Sequence, residues 1–510
     1  MNVLIYSNVI SWDMHAATTI EIIQNHLSKK DNVFLLTNKT DIISCLPHKK
    51  LNCRFCETQK KYIVSKLFNN KITSLEIEAN KEHFIFPEFT KPEEILEFKY
   101  ENMPIGELAM SQITDEFRQV FSNIKFINTR VKDLFKESIR LYHETCKIIE
   151  KEKIDIIYSW NGRRSTDGPT LYAGLKKNIQ IFSYICGGKL NSYITQPTTT
   201  VHDLEFSKNR IEKFYREFYL SEDVGKKKYY VEEAEKFFKY MRYGGEPTWG
   251  YIYYKDLFDD KIKIQKKNNK KVMTIFTSSY YEFYALGESF RKKNNKEINH
   301  YVSLIKILSN KYLINNFDIR VRWHPNLSTA GNEEIGEIQK IIKKYGNDIL
   351  HYSPFDKINS YNLLDISDIV VSFGSTVGIE ATYYDKPSIL WGSAYYEDTG
   401  GVYEVDSIEV LENMLKKDLK PKPKHLSLKF AYHERNRGEN LYNFVKLDKN
   451  YKYYFKNFRV YKPNIYERFK EISKVILKSF GLLRYGRIFY NLLNKYFGFR
   501  KNKSFTPFDW

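Results

Sequence analysis

Short apolar runs alternate with segments of helical spacing along most of this chain. The run "NVLIYSNV" is followed by "AATTIEIIQNHLS", whose apolar residues recur at helical intervals, and then by the apolar run "NVFLLTN". A strand, a helix and a second strand in this order form a βαβ unit, which sets the two strands parallel in one sheet. The pattern therefore predicts that the chain begins as a Rossmann-like layer.

The alternation continues, stops once and then starts again. A long helical segment, "FKESIRLYHETCKIIEKEKI", leads into the runs "DIIYSW" and "IQIFSYICGG". The charged stretch "KIQKKNNKKV" then interrupts the pattern, as a connector between domains does, and places a boundary near Lys266. Beyond it, the runs "VMTIFTSS", "FDIRVRWHP", "DILHYSP" and "DIVVSF" alternate with helical segments at 297–310 and 333–345.

This order predicts an α/β fold of two tandem Rossmann-like, doubly wound domains. The length of 510 residues agrees, because it exceeds what one ordinary core organises. We expect an N-terminal domain over residues 1–265, a C-terminal domain over 266–430, and a basic amphipathic tail over 431–510.

Ligands of open parallel sheets bind beyond the carboxyl ends of the strands, so polar residues at those ends are candidate site residues. In the second domain these ends contain "TSS", "RWHP" and "FGSTVGIE". The candidates there are Thr277, Ser278, Ser279, Arg320, Arg322, His324, Gly374, Ser375, Thr376 and Glu380.

The turn "FGSTV" leads from a strand into a helix. Backbone N–H groups at a helix start, together with the hydroxyls of Ser375 and Thr376, form a neutral cradle suited to phosphate. Gly374 permits the close approach of a ligand. The alternative is that Ser375 or Thr376 is an ordinary N-cap. Glu380 either accepts two ribose hydroxyls or only complements the helix dipole.

His324 precedes a proline, which imposes extended backbone and projects the imidazole from the sheet. There it can donate to a phosphate or sugar oxygen and, when protonated, neutralise a departing anion. Arg320 and Arg322 alternate with it along the strand, so their guanidinium groups are expected on the same side. The alternative is a structural histidine.

Candidate general bases lie in the first domain. Asp13 and His15 follow the first strand, and Glu21 lies one to two turns into the next helix. A hydroxyl nucleophile needs a carboxylate or an imidazole to take its proton, and the pattern does not distinguish these three. Later strand ends add further candidates for substrate binding: Asn161, Arg163, Arg164, His202 and Asp203.

Cysteine usage and the first residues indicate the compartment. Cys53 and Cys56 form a C-x-x-C pair near Cys45 and His48, which suits a metal or a redox couple. No second pair follows at zinc-ribbon spacing, so ordinary thiols are favoured. The start "MNVLIYSNVI" lacks the basic residues and cleavage site of a signal peptide, and a cytoplasmic location is expected.

The positive charge is concentrated at the C-terminal end. Lys and Arg number 81 against 62 for Asp and Glu, and Tyr451 to Lys503 holds 14 basic and 2 acidic residues. Apolar residues at helical spacing make this tail a candidate to lie on an anionic membrane surface. A helical hairpin packed on the domains is the alternative. Because the excess is largely confined to the tail and no RNA-binding signature occurs, nucleic acid is not an expected partner.

The segments "RVRWHPNL" and "SDIVVSFGSTVGIEATYYDKPSIL" resemble the donor-binding half of GT-B glycosyltransferases that build bacterial capsules and lipopolysaccharides. They are most similar to Kdo transferases and, more loosely, to sialyltransferases and teichoic-acid polymerases. "WDMHAATTIEII" and "YSWNGRRST" resemble other capsule-biosynthesis proteins. The resemblance spans roughly residues 1–430 and is strongest over 317–392. It implies that His324, Ser375 and Thr376 contact the phosphate of the donor.

The resemblance implies a nucleotide-sugar donor bound on the second domain and a lipid-linked glycan acceptor bound on the first. No Asp-x-Asp occurs in a sheet context, so a metal-independent, inverting transfer without a further cofactor is expected, at the inner face of the cytoplasmic membrane. The acidic acid-base motif of sialyltransferases is absent from the sequence. Alternatives are a polyol-phosphate transferase, a sugar-nucleotide epimerase, or a non-catalytic glycan-binding component of an assembly complex.

Overall fold

The computed structural model describes residues 1–7, 10, 12–38, 56, 59–77, 84–248, 250–251, 269–294, 296–447 and 452–460. Cys45, Cys53 and the amphipathic tail segment beyond residue 460 lie outside these ranges, so the predictions made for them remain predictions. Cys56 is half-buried. Within the described ranges, no helix combines the length and the apolar character needed to cross a membrane.

The described strands follow one another in chain order. They are β1 (Asn2–Tyr6), β2 (Asn32–Asn38), β3 (Thr73–Ile77), β4 (Ile156–Trp160), β5 (Gln180–Cys186), β6 (Ser192–Pro197), β7 (Lys271–Phe276), β8 (Lys292–Lys293), β9 (Lys296–Glu297), β10 (Phe317–Arg322), β11 (Leu350–Tyr352), β12 (Ile369–Ser372), β13 (Ser388–Trp391), β14 (Tyr403–Val405), β15 (Asn440–Leu441), β16 (Val445–Leu447), β17 (Tyr453–Phe455) and β18 (Phe458–Arg459).

The described α-helices are α1 (Asp13–Ser28), α2 (Pro92–Leu96), α3 (Ile105–Phe117), α4 (Asn128–Lys151), α5 (Gly168–Lys176), α6 (Leu204–Phe214), α7 (Val224–Tyr243), α8 (Tyr280–Ala285), α9 (Glu288–Arg291), α10 (His300–Ser309), α11 (Lys311–Asn316), α12 (Asn332–Tyr345), α13 (Ser360–Ile366), α14 (Val377–Tyr383), α15 (Ile408–Leu415) and α16 (Lys424–Asn436). Tyr62–Leu67 and Tyr215–Tyr219 are π-helical, whereas Ile124–Phe126 and Pro325–Thr329 form 3-10 turns.

Two separate sheets organise the chain. The first has the order β15-β6-β5-β4-β1-β2-β3, and the second has the order β11-β10-β7-β12-β13-β14. Strands β1 to β5 pair in parallel, with β6 and β15 antiparallel at one edge. Every pair in the second sheet is parallel. The predicted fold class, an α/β fold of two tandem Rossmann-like, doubly wound domains, is confirmed.

The central strands are buried on both faces, which explains why they read as unbroken apolar runs. Leu4 and Tyr6 of β1 belong to one hydrophobic core, and Val3 and Ile5 belong to another. Successive side chains of a strand point to opposite faces, so β1 contributes to a core on each side. Helices cover both faces, as doubly wound sheets require.

The two domains meet where α3 lies against α8. Ser111 of α3 donates from its hydroxyl to the carbonyl of Ala285 over 2.7 Å. Arg291 forms an ion pair with Glu107 across the same interface. Helix α3 belongs to the first domain and α8 to the second, so these contacts bring the carboxyl edges of the two sheets toward one crevice.

The chain returns to the first domain near its C-terminal end. Helix α16 packs along α7 and α14. Beyond it, Asn440 and Leu441 form β15, which pairs with β6 of the first sheet. Residues 431–447, predicted as part of a tail, therefore complete a helix and then extend the first domain. Sequence patterns miss this return because strand β15 has only two residues.

Candidate active site

Three neighbouring strands of the second sheet end at the same level. Arg322 of β10 and Ser372 of β12 both pair with Phe276 of β7. The loops that follow therefore start side by side at the carboxyl edge, where ligands of parallel sheets bind. We call this place the strand-end site. Its predicted members are Thr277, Ser278, Ser279, His324, Gly374, Ser375 and Thr376.

Two hydroxyl groups join the loops of the strand-end site. Ser278 Oγ donates to the carbonyl of Phe373 over 2.7 Å. Thr277 Oγ1 donates to the carbonyl of Arg322 over 3.3 Å and accepts the N–H of His324 over 3.0 Å. Both residues are buried and bonded to backbone. They shape the site, whereas the sequence had suggested that they contact the ligand.

The hydrogen bonds of His324 fix its tautomer. Its Nδ1 accepts the backbone N–H of Asn326 over 3.2 Å and lies 3.2 Å from Ser279 Oγ. A backbone N–H can only donate, so Nδ1 carries no proton and the neutral ring carries it on Nε2. Burial, and then the charge of Arg322, lower the pKa of His324 to about 4. The residue is therefore a neutral hydrogen-bond donor near pH 7, and not the cation that the sequence suggested.

The two arginines of strand β10, Arg320 and Arg322, make hydrogen bonds inside the protein. Arg322 is 2% exposed, and its guanidinium donates to the carbonyls of Ser353 over 2.5 Å and Asp356 over 3.3 Å. Arg320 is fully buried and donates to the Asp318 carboxylate over 2.7 Å. Neither guanidinium is open to a ligand, although both were predicted to bind one. Burying a guanidinium is costly unless it is hydrogen-bonded, and here carbonyls bond the terminal nitrogens of Arg322 while a carboxylate bonds Arg320.

The turn after β12 is fixed from behind. Gly374 has a φ of +92°, and a Cβ at this position would lie 2.6 Å from a ring carbon of Phe283. The Tyr396 hydroxyl donates to the carbonyl of Ser375 over 2.7 Å and lies 2.8 Å from Ser372 Oγ. Only glycine fits both the left-handed backbone and the available space. The turn therefore holds one shape.

The front of this turn presents a hydroxyl. Ser375 and Thr376 are half-buried. Thr376 directly precedes α14 and makes no side-chain cap hydrogen bond, while its hydroxyl interacts with Glu380. Among the described residues, Ser375 Oγ has no hydrogen-bond partner. Capping, the alternative interpretation of these residues, therefore does not explain Ser375.

Glu380 lies behind the turn. Its side chain is fully buried and accepts a hydrogen bond from the Tyr361 hydroxyl. Burial raises the pKa of Glu380 above its ordinary value, and the hydrogen bonds from Tyr361 and Thr376 oppose this. In this conformation the carboxyl group supports the turn and is closed to a ribose, the ligand that its sequence position suggested.

Glu282 on α8 also lies at the site, and the sequence analysis missed it. It is half-buried, and its Oε1 accepts from Asn326 Nδ2 over 3.0 Å. Burial raises the pKa of Glu282, while hydrogen bonds from Asn326 and Ser279 act against the rise. Ser279 and Asn326 thus link this carboxylate to His324. The spacing Ser279-x-x-Glu282 has the form of a capping box and was the available signal.

The first-domain arginines hold the two domains together. Arg163 Nη1 donates to the carbonyl of Ala285 over 2.9 Å, and its Nη2 donates to Asp115 over 2.6 Å. Arg164 Nε donates to the same Asp115 oxygen over 2.9 Å. Asn161 is buried in left-handed backbone, with a φ of 63°. The predicted acceptor-side residues therefore lie at the crevice, but their guanidinium groups are bound to protein atoms.

The three predicted bases all belong to helix α1, and the structure describes the side chains of two of them, His15 and Glu21. His15 is fully buried and stacks on Trp160, with 4.0 Å between ring centroids. Glu21 is fully buried and accepts the N–H groups of residues 443–445 over 2.7 to 2.9 Å. Asp13 is the first residue of α1, and its side chain lies outside the described part of the structure. Glu21 therefore anchors the returning chain, with both of its carboxylate oxygens bonded to backbone N–H groups.

His202 and Asp203 occupy the loop after β6. His202 Nδ1 lies 3.1 Å from the Tyr395 hydroxyl of the second domain. Burial, reinforced by Arg163, lowers the pKa of His202 well below its ordinary value. Asp203 caps α6 by accepting the N–H of Phe206 over 2.8 Å. His202 is therefore an interdomain contact, and Asp203 is a structural cap.

Comparisons with known proteins give distant structural likenesses only. No protein-family model and no curated protein matches the sequence. The chain is similar to KpsC, a β-Kdo 2,7-transferase of Thermosulfurimonas dismutans, at 15% identity and a TM-score of 0.34, over 57% of this chain and 79% of that one. It is similar to a UDP-GlcNAc 2-epimerase of Neisseria meningitidis bound to UDP-GlcNAc at 11% identity and a TM-score of 0.26, over 86% and 98% of the two chains. It is similar to MurG of Acinetobacter baumannii at 8% identity and a TM-score of 0.27, over 85% of this chain and 94% of that one. Such scores carry no argument about function, which must come from the site.

Proposed function

We propose that this protein is a GT-B glycosyltransferase. It transfers a sugar from a nucleotide-sugar donor to a lipid-linked glycan acceptor in the synthesis of a bacterial capsule or lipopolysaccharide O-antigen. One observation carries the proposal. The neutral donor His324 follows β10 and the hydroxyl of Ser375 follows β12, and these two strands flank β7 and end at the same level. Neutral hydrogen-bond donors at such an edge suit the phosphates of a nucleotide.

The donor phosphate binds at the strand-end site and leaves from it. His324 Nε2–H and Ser375 Oγ donate to the phosphate oxygens, on which negative charge grows as the sugar departs. Preorganised donors in a water-poor crevice stabilise such charge without reorganising. Because the pKa of His324 is about 4, the residue assists by hydrogen bonding and not by protonating the leaving group.

The transfer is a single displacement. The acceptor oxygen forms a bond to the anomeric carbon while the bond from that carbon to the phosphate oxygen breaks, and its electron pair leaves with the phosphate. The proton of the acceptor hydroxyl passes to a base. One displacement inverts the anomeric configuration and needs no covalent nucleophile. The side chains at the site are hydroxyls, an imidazole and the single carboxylate of Glu282, and not the paired carboxylates that bind Mg²⁺ with a nucleotide, so we propose a reaction that needs no metal.

The acceptor places the reaction at a membrane. The basic amphipathic residues beyond 460 suit the anionic inner face of the cytoplasmic membrane, where a lipid-linked acceptor is anchored. The proposed enzyme is therefore cytoplasmic and peripheral, with the tail as its attachment. This part of the proposal rests on the sequence of the tail alone.

A mass-spectrometric screen tests the function. The full chain is incubated with UDP-, GDP-, dTDP- and CMP-sugars, with CDP-polyols, and with a bacterial lipid-linked oligosaccharide extract. The expected result is one donor whose nucleotide is released in step with a mass increase of one sugar on the acceptor. His351→Gln, on the edge strand of the same sheet, is the control variant and retains activity.

Three outcomes would contradict the proposal. Release of CMP from a CDP-polyol, with polyol phosphate added to the acceptor, identifies a polyol-phosphate transferase. An isomerised donor without an acceptor product identifies an epimerase. Tight glycan binding without turnover of any donor identifies a non-catalytic component of an assembly complex.

A further inference from the structure

Glu282 brings a carboxylate to the strand-end site, and its own helix does not use it. Ser279 is the N-cap of α8, and a glutamate three residues after an N-cap normally accepts the backbone N–H of the cap. Among the described residues, the Glu282 side chain accepts no backbone N–H, and its Oε1 accepts from Asn326 Nδ2 over 3.0 Å. Capping of α8 therefore does not explain this carboxylate.

The carboxylate lies beside the imidazole that we assign to the donor phosphate. Asn326, which donates to Glu282 from its side chain, also donates its backbone N–H to His324 Nδ1 over 3.2 Å. The Ser279 hydroxyl lies 3.2 Å from the same Nδ1 and also interacts with Glu282. Two residues thus bridge Glu282 and His324. The carboxylate is therefore part of the same site as the imidazole.

Glu282 also faces the first domain. Asp115 and Arg118, at the C-terminal end of α3, are close enough for their charges to act on the pKa of Glu282. Arg118 Nη1 donates to the Thr329 hydroxyl, which in turn donates to the carbonyl of Asn326 over 3.0 Å. These contacts join the first domain to the turn that holds Asn326. Glu282 therefore lies between the carboxyl edge of the second sheet and the domain proposed to bind the acceptor.

The carboxylate is accessible and suited to accept a proton. Glu282 is half-buried, so the crevice reaches this residue, whereas both oxygens of Glu21 are bonded to backbone. Burial raises the pKa of Glu282, the hydrogen bonds from Asn326 and Ser279 oppose the rise, and the charge of Asp115 adds to it. A carboxylate whose pKa is moved toward the working pH is a better general base.

The other titratable groups that face Glu282 keep their charge state near neutral pH. Against the effect of burial, the two arginines bound to Asp115 hold its pKa below the ordinary value, so Asp115 stays ionised. Burial lowers the pKa of His324 to about 4 and raises that of Tyr281, so both stay neutral. Arg118 carries a guanidinium, which stays charged. Of these groups, Glu282 is the one expected to change its charge between pH 5 and 8.

We propose that Glu282 is the general base of the transfer and that the crevice beside it binds the attacking sugar hydroxyl of the acceptor. This inference rests on the proposed function and supplies the base that its displacement needs. The O–H bond breaks as the acceptor oxygen bonds to the anomeric carbon, and the proton goes to the Glu282 carboxylate. The phosphate leaves with the electron pair of the broken C–O bond. The carboxyl group then releases its proton to water.

Glutamine separates the base from its structural contact. The amide oxygen of Glu282→Gln still accepts from Asn326, but it does not take a proton near neutral pH. With the donor found by the screen, Glu282→Gln is expected to lose sugar transfer by about 10²-fold or more, the lower range for a general base, at unchanged nucleotide affinity and melting temperature. The matched control is Glu288→Gln, which is expected to equal the wild type, because Glu288 is exposed on the next helix and bonds Lys292.

Two further readouts distinguish a base from a structural support. Formate is a small carboxylate that fits the space left by Glu282→Ala, so it is expected to restore part of the transfer by this variant and none of that by Glu282→Gln. The kcat/KM of the wild type is expected to fall toward acid pH, with a midpoint above the ordinary glutamate value of 4.5, and Glu282→Gln is expected to lack this fall. A structural role alone predicts an active glutamine variant and no rescue by formate.

A third measurement needs no turnover. In a chain labelled with ¹⁵N-asparagine, the side-chain amide of Asn326 reports on Glu282, to which it donates. The amide of Asn209, which donates to Glu205 on the exposed side of α6, is the matched control. The Asn→Asp variants assign both signals. Methyl glycosides at millimolar concentration, added with UDP, GDP, dTDP or CMP, are expected to shift the Asn326 signal and leave that of Asn209 in place.

The outcomes separate the two proposals. Transfer by Glu282→Gln within threefold of the wild type overturns the role of Glu282 and leaves the proposed function in place. An Asn326 signal that no glycoside shifts overturns the hydroxyl site beside Glu282. If the full chain transfers no sugar from any donor, the proposed function and the base both fail, and a glycoside shift then identifies a sugar-binding crevice without this chemistry.

Discussion

Two substitutions of His324 separate its two hydrogen-bonding roles. Nδ1 accepts the N–H of Asn326 and caps the turn Pro325–Thr329, whereas Nε2 is the donor that we assign to the phosphate. Asparagine places its oxygen near the position of Nδ1 and is a good cap, but it has no group at the position of Nε2. Glutamine places an N–H₂ near Nε2 and loses the cap. His324→Asn is therefore expected to fold normally and fail in turnover, and His324→Gln to show the reverse balance.

The size of each expected loss, in kcat or in the free energy of unfolding, follows from the hydrogen bond that the substitution removes. A hydrogen bond to a charged group is worth about 1.5 to 3 kcal/mol. Each 1.36 kcal/mol is about tenfold in rate, so His324→Asn is expected to lower kcat by roughly 10-fold to 150-fold. Losing the cap costs about 1 kcal/mol, so His324→Gln is expected to lower the free energy of unfolding by that amount and to retain most of its turnover.

Steady-state kinetics at pH 6 and pH 8, with urea unfolding of the same preparations, measure both quantities. His324 stays neutral across this interval because its pKa is about 4, so the loss of kcat in His324→Asn is expected to be equal at the two pH values. Equal kcat for His324→Asn and the wild type would refute the role of Nε2. A loss in His324→Asn that appears only at pH 6 would show that a cationic imidazole acts.

Three further predictions follow from other parts of the structure. Gly374→Ala places a Cβ 2.6 Å from the Phe283 ring at a φ of +92°, so we expect a lower melting temperature and loss of nucleotide binding. The control Gly336→Ala, whose Cβ meets no atom within 4 Å, is expected to keep the melting temperature and the nucleotide affinity of the wild type. Glu334 is 2% exposed, and burial raises its pKa to about 7, so this carboxyl group ionises at a lower pH in the unfolded chain than in the folded one, and the free energy of unfolding falls by about 3 kcal/mol between pH 4.5 and 7. In urea titrations Glu334→Gln is expected to remove this dependence on pH, and an unchanged dependence contradicts the assignment. A chain ending at Val460 keeps β17 and β18 and is expected to stop co-sedimenting with anionic vesicles, with about 1 kcal/mol of binding lost for each basic residue removed. Equal binding of the shortened and full chains would exclude the tail as an anchor.

The fold could be predicted well from the sequence because strands that are buried on both faces are continuous apolar runs. The runs that became β1, β7 and β12 are continuous and apolar, and each ends in small or polar residues. The predicted helices at 297–310 and 333–345 appear as His300–Ser309 and Asn332–Tyr345. These features depend on neighbours within about one helical turn, which the sequence displays directly.

The roles of several polar residues could not be predicted because their partners are distant in sequence. Glu21 accepts the N–H of Asn443, 422 residues later. Arg322 is hydrogen-bonded to carbonyls of a loop about 30 residues later, a contact that no local spacing indicates. Strand-end position identified His324 and Ser375 because that signal is local.

Isothermal titration with nucleotides tests the central claim most directly. Wild type, Ser375→Ala and the double variant Ser375→Ala with Thr376→Ala are titrated with UDP, GDP, dTDP and CMP, and their melting temperatures are recorded. We predict that one nucleotide binds the wild type and binds Ser375→Ala about tenfold more weakly, the loss expected for one hydrogen bond to a charged group, with the melting temperature unchanged. If no nucleotide binds, or if all three proteins bind one equally, the strand-end site does not hold the donor phosphate and the account is wrong.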